Sequence, residues 1–183
     1  MKHARIGSLA LIGLLAAVGA ATAADISPVA SVATILSGTF QGSTPGNELR
    51  LDLRSIPTDA EHPYDLFLEV TGKYQGQIVR RQGLLRLETQ GSGVYVGYIP
   101  HFDATVTSLS SQATQFTESE ANAACGISMN ARGDGFAGET PAAGCAIALR
   151  GVLGKWTLEI EPGSLRVRET KSGETLRFRR ISK

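Results

Sequence analysis

Apolar side chains recur at every second position in run after run of this chain. Leu49, Leu51 and Leu53 alternate with Arg50 and Asp52, and Tyr64, Leu66, Leu68 and Val70 with Asp65, Phe67 and Glu69. Val94, Val96 and Tyr98 follow, then Ile127, Met129 and Ala131. Trp156, Leu158 and Ile160, Leu165 and Val167, and Leu176 and Phe178 continue the pattern, the last two pairs interleaved with arginines. Helices repeat every 3.6 residues and strands every two, so these runs specify strands with one dry and one wet face. Turn signals punctuate them at 42–46, Gly72-Lys73, Gly91-Ser92-Gly93, Gly133-Asp134-Gly135, Pro162-Gly163 and Ser172-Gly173. About ten short antiparallel strands at such spacing mean a barrel or a sandwich.

One helix precedes them. Ser27 suits the N-cap and Pro28 the first turn, and Val29, Val32, Ala33 and Leu36 form one apolar stripe ahead of Gly38. A helix of about ten residues must pack on something larger. Placed before the first strand, it is sized to plug one end of a closed barrel, which also leaves no sheet edge. The expectation is therefore all-β: one antiparallel β-barrel of about ten strands with a short N-terminal plug helix. Residues 108–124 break the rhythm; rich in Ser, Gln and Thr, with a capping-box pair at Thr117 and Glu120, they read as a loop with one or two helical turns.

Lys2 and Arg5, the small and apolar residues 8–20 and Ala21-Thr22-Ala23 form a secretory signal peptide, cleaved after Ala23, which predicts a periplasmic or secreted protein whose single domain spans 24–183. No other apolar run approaches a membrane span. Without the leader, sixteen basic residues face seventeen acidic ones, a balance that argues against nucleic-acid and anionic-membrane binding. Residues 98–149 are net acidic and 150–183 net basic, which reads as two solvated faces that complement each other. Cys125 and Cys145, the only cysteines, are even in number in an exported chain and read as one disulfide. A metal pair is the weaker rival, because His62 and His101 do not sit at ligand spacing with them.

No Gly-X-Ser-X-Gly elbow and no glycine-rich phosphate loop is present. His62 and His101 read as loop histidines, and Glu139 as a solvated glutamate. Arg80 and Arg81 are adjacent in a strand run and point to opposite faces, so one faces inward and needs a partner: Glu69, Glu88 or a ligand carboxylate. Aromatic residues are spread over many strands, and small residues at Gly97, Ala131, Gly138, Ala146 and Ala148 would leave room for one small ligand. The candidate ligand-binding residues are Tyr64, Tyr98, Phe136 and Trp156 in the lumen, with Arg80 or Arg81 as carboxylate anchor.

Cys125, Phe136, Gly138, Glu139 and Cys145 follow a pattern of cysteine, strand, tight turn, Phe-X-Gly-Glu and second cysteine. This stretch resembles the CpcT/CpeT phycobiliprotein lyase family. Leu36-Ser37-Gly38-Thr39-Phe40, Pro63-Tyr64 and Phe178-Arg179-Arg180 are similar, more loosely, to that family's helix-to-first-strand entry, the start of its Pro-Tyr-Arg strand and its closing strand. The resemblance implies a calycin-type barrel related in shape to lipocalins, and a tetrapyrrole as ligand. Three readings stand: an exported lipocalin-like barrel binding a small apolar or tetrapyrrole-like ligand; a chromophore (bilin) lyase-like protein; and a cavity-free module that binds a protein partner through loops such as 108–120.

Overall fold

In a computed structural model of the chain, the residues described are 27–44, 46–56, 60–101, 125–141, 145–146 and 153–183. The expected leader, the 108–124 segment and Ala148 lie outside them, as do the side chains of His101, Cys145 and Ala146.

The alternating runs become strands, and ten of them close a barrel. In chain order they are β1 (Gly38–Thr44), β2 (Asn47–Ser55), β3 (Leu66–Tyr74), β4 (Gln77–Gln90), β5 (Gly93–His101), β6 (Cys125–Arg132) and β7 (Gly135–Glu139), then β10 (Trp156–Glu161), β11 (Ser164–Glu169) and β12 (Thr175–Ser182). Each pairs antiparallel with the barrel strand before and after it, and β12 closes on β1. Between β7 and β10 lie two short strands, β8 (Cys145–Ala146) and β9 (Leu153–Gly154), paired only with each other.

Register decides which side chains share a face. Leu53 opposes Leu68, and Leu51 opposes Val70; on the far side of the ring Leu158 opposes Val167, which opposes Leu176. These inward positions form the core, with Leu66, Val70 and Val94 fully buried and Phe178 nearly so. The other face carries the charges: Asp52 accepts hydrogen bonds from Thr39 Oγ1 (2.6 Å) and Arg50 Nε (2.9 Å).

Helix α1 (Pro28–Leu36) lies across one end of the barrel, against β4, β5, β7 and β10. The Ser27 hydroxyl accepts from the Ala30 amide at 3.1 Å, and Val29, Val32, Ala33 and Leu36 are its buried residues, as the stripe predicts. Arg180 of β12 fastens the other terminus. Its Nη2 donates to the carbonyls of Thr34 (3.4 Å) and Ile35, and its guanidinium lies 5.1 Å from the centre of the Phe40 ring. A cation there also suits the helix C-terminus.

The structure corrects three expectations. Gly72-Lys73 is not a turn but lies inside β3. Gly72 sits at φ 135°, where a Cβ would come within 2.0 Å of the Glu48 carbonyl oxygen, so glycine there allows close approach of β2. The chain reverses instead at Gln75-Gly76, with Gln75 at φ 48° and its amide donating to Asn47 Oδ1 at 2.7 Å. Tyr64 precedes β3 rather than opening it, and Ala131, on the inward register opposite Phe136, is exposed at the α1 end rather than lining the lumen. Phe67 and Leu84 register on the outer face yet are buried, and the Arg54 guanidinium stacks 5.0 Å from the Phe67 ring centre.

Candidate functional site: an apolar chamber in the lumen

The barrel lumen holds a partly open cavity of about 100 Å³. Leu36 of the helix forms its floor. Its walls are Leu51 and Leu53 of β2, Leu68 and Val70 of β3, Leu85 of β4, Val96 of β5, Ile127 of β6, and Leu158, Leu165 and Val167 of β10 and β11. Tyr98, Cys125 and Trp156 bound it near the end away from α1. Every wall position is an inward member of the period-two pattern, so the alternation that makes the strands also makes the chamber apolar. No charged side chain lines it among the described residues.

Two of the residues that border it have polar tips. Tyr98 opposes Cys125 and Leu85, and its ring lies over Gly83, where a Cβ would stand 2.3 Å from the Tyr98 ring. The bare glycine lets the phenol reach β4 and donate to the Gln82 carbonyl at 3.3 Å. Burial pushes the Tyr98 phenol up to about 12, with the charge of Arg81 acting in the opposite sense. Trp156 is held through its backbone: its amide donates to Thr140 Oγ1 at 3.0 Å, and its carbonyl accepts from the Thr140 amide at 2.9 Å. The residue is 3% exposed, and its indole Nε1 has no hydrogen-bond partner among the described residues; it packs beside Gly154, with the Glu169 carboxylate close by.

Of the candidate ligand-binding residues read from the sequence, the structure brings Tyr98 and Trp156 together at the chamber and leaves the others outside its lining. Tyr64 is 38% exposed, in the turn ahead of β3. Phe136 is buried in the core but borders a shallow depression beside α1 with Ser31, Ile35 and Asp134. Arg80 faces outward, its Nε 3.5 Å from Glu69. Arg81 registers with inward Val70, but it lies one residue beyond the last β4–β5 pair, Gln82 with His101, and so is exposed at the rim. His62 is 3.7 Å from Glu88, and Glu139 is exposed at the end of β7. The leucines that form most of the wall carried a signal in their alternation alone, which marks core and cavity wall alike.

At the end of the barrel away from α1, Tyr74 Oη donates to Glu174 Oε1 at 2.6 Å, linking β3 to the β11–β12 turn. The connections from β5 to β6 and from β7 to β10 also leave from this end. No cysteine among the described residues is free. Cys125 is buried, and β8, which carries Cys145, lies against β6.

A second depression, of about 530 Å³, lies on the outer face of β6, β7, β10, β11 and β12. There Glu159 is shared by Arg132 (3.0 Å) and Arg166 (2.7 Å). The arginine from the acidic half thus meets a glutamate from the basic half, the reverse of the complementarity that the charge split suggests. Among the described residues no group of three His, Cys, Asp or Glu could hold a metal ion, and no helix is long and apolar enough to cross a membrane. The chain matches no protein-family model, and no curated protein matches it.

Proposed function

We propose that this protein is an exported, lipocalin-like barrel that binds a small, uncharged, apolar molecule in its lumen. The observation that carries the reading is the chamber itself: an apolar cavity whose described lining contains no charge, floored by a helix at one end. Such a cavity favours an apolar occupant over water, which needs polar partners to stay. Export rests on the composition of residues 1–23.

The size of the chamber limits the ligand. An apolar cavity of about 150 Å³ takes benzene, so about 100 Å³ suits a slim aliphatic chain better than a ring. An open-chain tetrapyrrole is far bulkier, and its two propionates would find no cation in the described lining. The resemblance to bilin lyases therefore supports the shape of the barrel and not its chemistry. We further propose that Cys125 and Cys145 form a disulfide, supported by the absence of a free cysteine among the described residues and by the contact of β8 with β6.

Trp156 is the only tryptophan of the chain, so its emission reports on the chamber directly. Titration with unbranched alkanes of five to eight carbons should give a saturable change in that emission. The change should disappear in Val167→Phe, which fills the cavity from β11. Alkanes that leave both the emission and the methyl resonances of the lining leucines unmoved would overturn the reading.

A further inference from the structure

The depression on the outer face of the barrel owes both its shape and its charge to strand register. One outward row crosses five strands as Asn130, Ala137, Glu159, Arg166 and Arg177. In the row beside it Thr157 opposes Arg168, which opposes Thr175. Ala137 is a stub at the middle of this face, and the long side chains of Arg132, Arg166, Arg168 and Arg177 stand around it, so a wall that curves outward dips there. The space, about 530 Å³, falls within the roughly 300–1,000 Å³ of ordinary ligand sites. Four arginines border it against two glutamates, Glu139 and Glu159. Glu159 is already shared by Arg132 and Arg166, whereas Arg168 and Arg177 form no ion pair among the described residues. Arg166 and Arg177 are directly opposed, and Arg168 lies two positions along β11 from Arg166. Such crowding of like charges works against folding, and an anion brought to the patch would relieve it.

We propose that this outer depression binds an acidic oligosaccharide, a sugar chain bearing carboxylate or sulfate groups. Guanidinium forks match such oxyanions two hydrogen bonds at a time. The spread of the cations sets the shape of the ligand. Arg132 lies on β6 and Arg177 on β12, four strand spacings apart, roughly 19 Å at about 4.8 Å each. A single oxyanion would engage one end of that span and leave most of the space to water. An extended chain with charges at intervals meets both ends. Between the charges, the Asn130 amide and the Ser128, Thr157 and Thr175 hydroxyls offer donors and acceptors to sugar hydroxyls. No aromatic side chain borders the depression among the described residues, so the bases of a single-stranded nucleic acid would find nothing to stack on. The site lies outside the wall and does not depend on an occupant of the lumen.

The probe is a heparin-derived hexasaccharide, titrated into the protein at low salt and followed by calorimetry. It should bind saturably, and more weakly as salt is raised. Arg168→Gln and Arg177→Gln together should weaken binding at least about tenfold, the loss of two charge-assisted contacts. Lys73→Gln, which removes a charge from an exposed position across the barrel, should change it less than about twofold. All three substitutions fall on exposed side chains, and urea denaturation should find the variants as stable as the unaltered chain. Competition on the unaltered protein separates the kinds of anion. Sodium sulfate matched to the sulfate content of the probe should not displace it, and oligo(dT) of equal charge should bind at least tenfold more weakly. A hexasaccharide that does not bind, or that binds the double variant as tightly as the unaltered protein, overturns the site. Displacement by matched sulfate would make it a single-ion site, and equal binding of oligo(dT) would reduce it to charge attraction alone; either result overturns an acidic sugar chain as the occupant.

Discussion

Tyr98 and Trp156 are alike in kind and opposite in state. Each is an amphipathic aromatic on the inward face of its strand, but Tyr98 has an acceptor on β4 and the Trp156 indole has none among the described residues. For Tyr98 the consequence is read in alkali. Its folded pKa of about 12 lies above the ordinary value of 10, so the unfolded chain loses the proton first. Stability is unaffected below about pH 10, declines as pH rises from there toward 12, and levels off once the folded phenol also ionises. Tyr98→Phe should flatten that decline, measured as the denaturation midpoint at pH 9, 10.5 and 11.5. An undiminished decline would show that another group is responsible. Both residues were legible as inward aromatics from their place in an alternating run. Tyr64 belongs to the same kind of run and is exposed, because β3 begins only at Leu66 and the pattern carries no mark of where pairing starts.

Strand by strand, legibility followed the strength of the constraint. Where one face must be dry, as in Leu49, Leu51 and Leu53, a one-residue slip would expose the whole set, so the pattern and the structure coincide. Where a feature depends on a neighbouring strand, the pattern is silent. The backbone approach of Glu48 to Gly72 looks like a turn signal in sequence, and the reversal that does occur uses Gln75, a residue with no special preference for positive φ. The outer face of β11 and β12 offers a further case. Arg166 and Arg177 stand directly opposite each other, and among the described residues only Arg166 has an acid drawn to it, Glu159. Like charges in that position are unfavourable. Arg177→Glu should therefore stabilise the protein by a few tenths to about 1 kcal/mol in low salt, judged by urea denaturation. The gain should shrink as salt is raised; a loss of stability instead would mean that Arg177 serves a contact of its own.

At the scale of the whole molecule, the proposed bridge between Cys125 and Cys145 would tie the start of β6 to the excursion between β7 and β10, both at the end of the barrel that α1 does not cover. Closing a loop of about twenty residues limits the unfolded chain, and Cys145→Ser should cost roughly 3 kcal/mol in a denaturant titration. Two titratable thiols in the unfolded, unreduced protein would contradict the bridge. Neither the closure of the ring nor its cavity was visible in any single run of residues. They followed from the number of runs and from a helix with nowhere else to pack. That closure has a consequence for how the chain acquires its structure. Nine of the ten barrel seams join strands consecutive around the meander, whereas the tenth joins β1 to β12 across nearly the entire described sequence. Hairpins can form early and locally, but the last seam waits for the greatest separation and so sets a slow, late step. Until the final strand leaves the ribosome, every nascent chain exposes two unpaired edges. A chain stopped short of Thr175 would keep them, an open sheet prone to pair with its own copies.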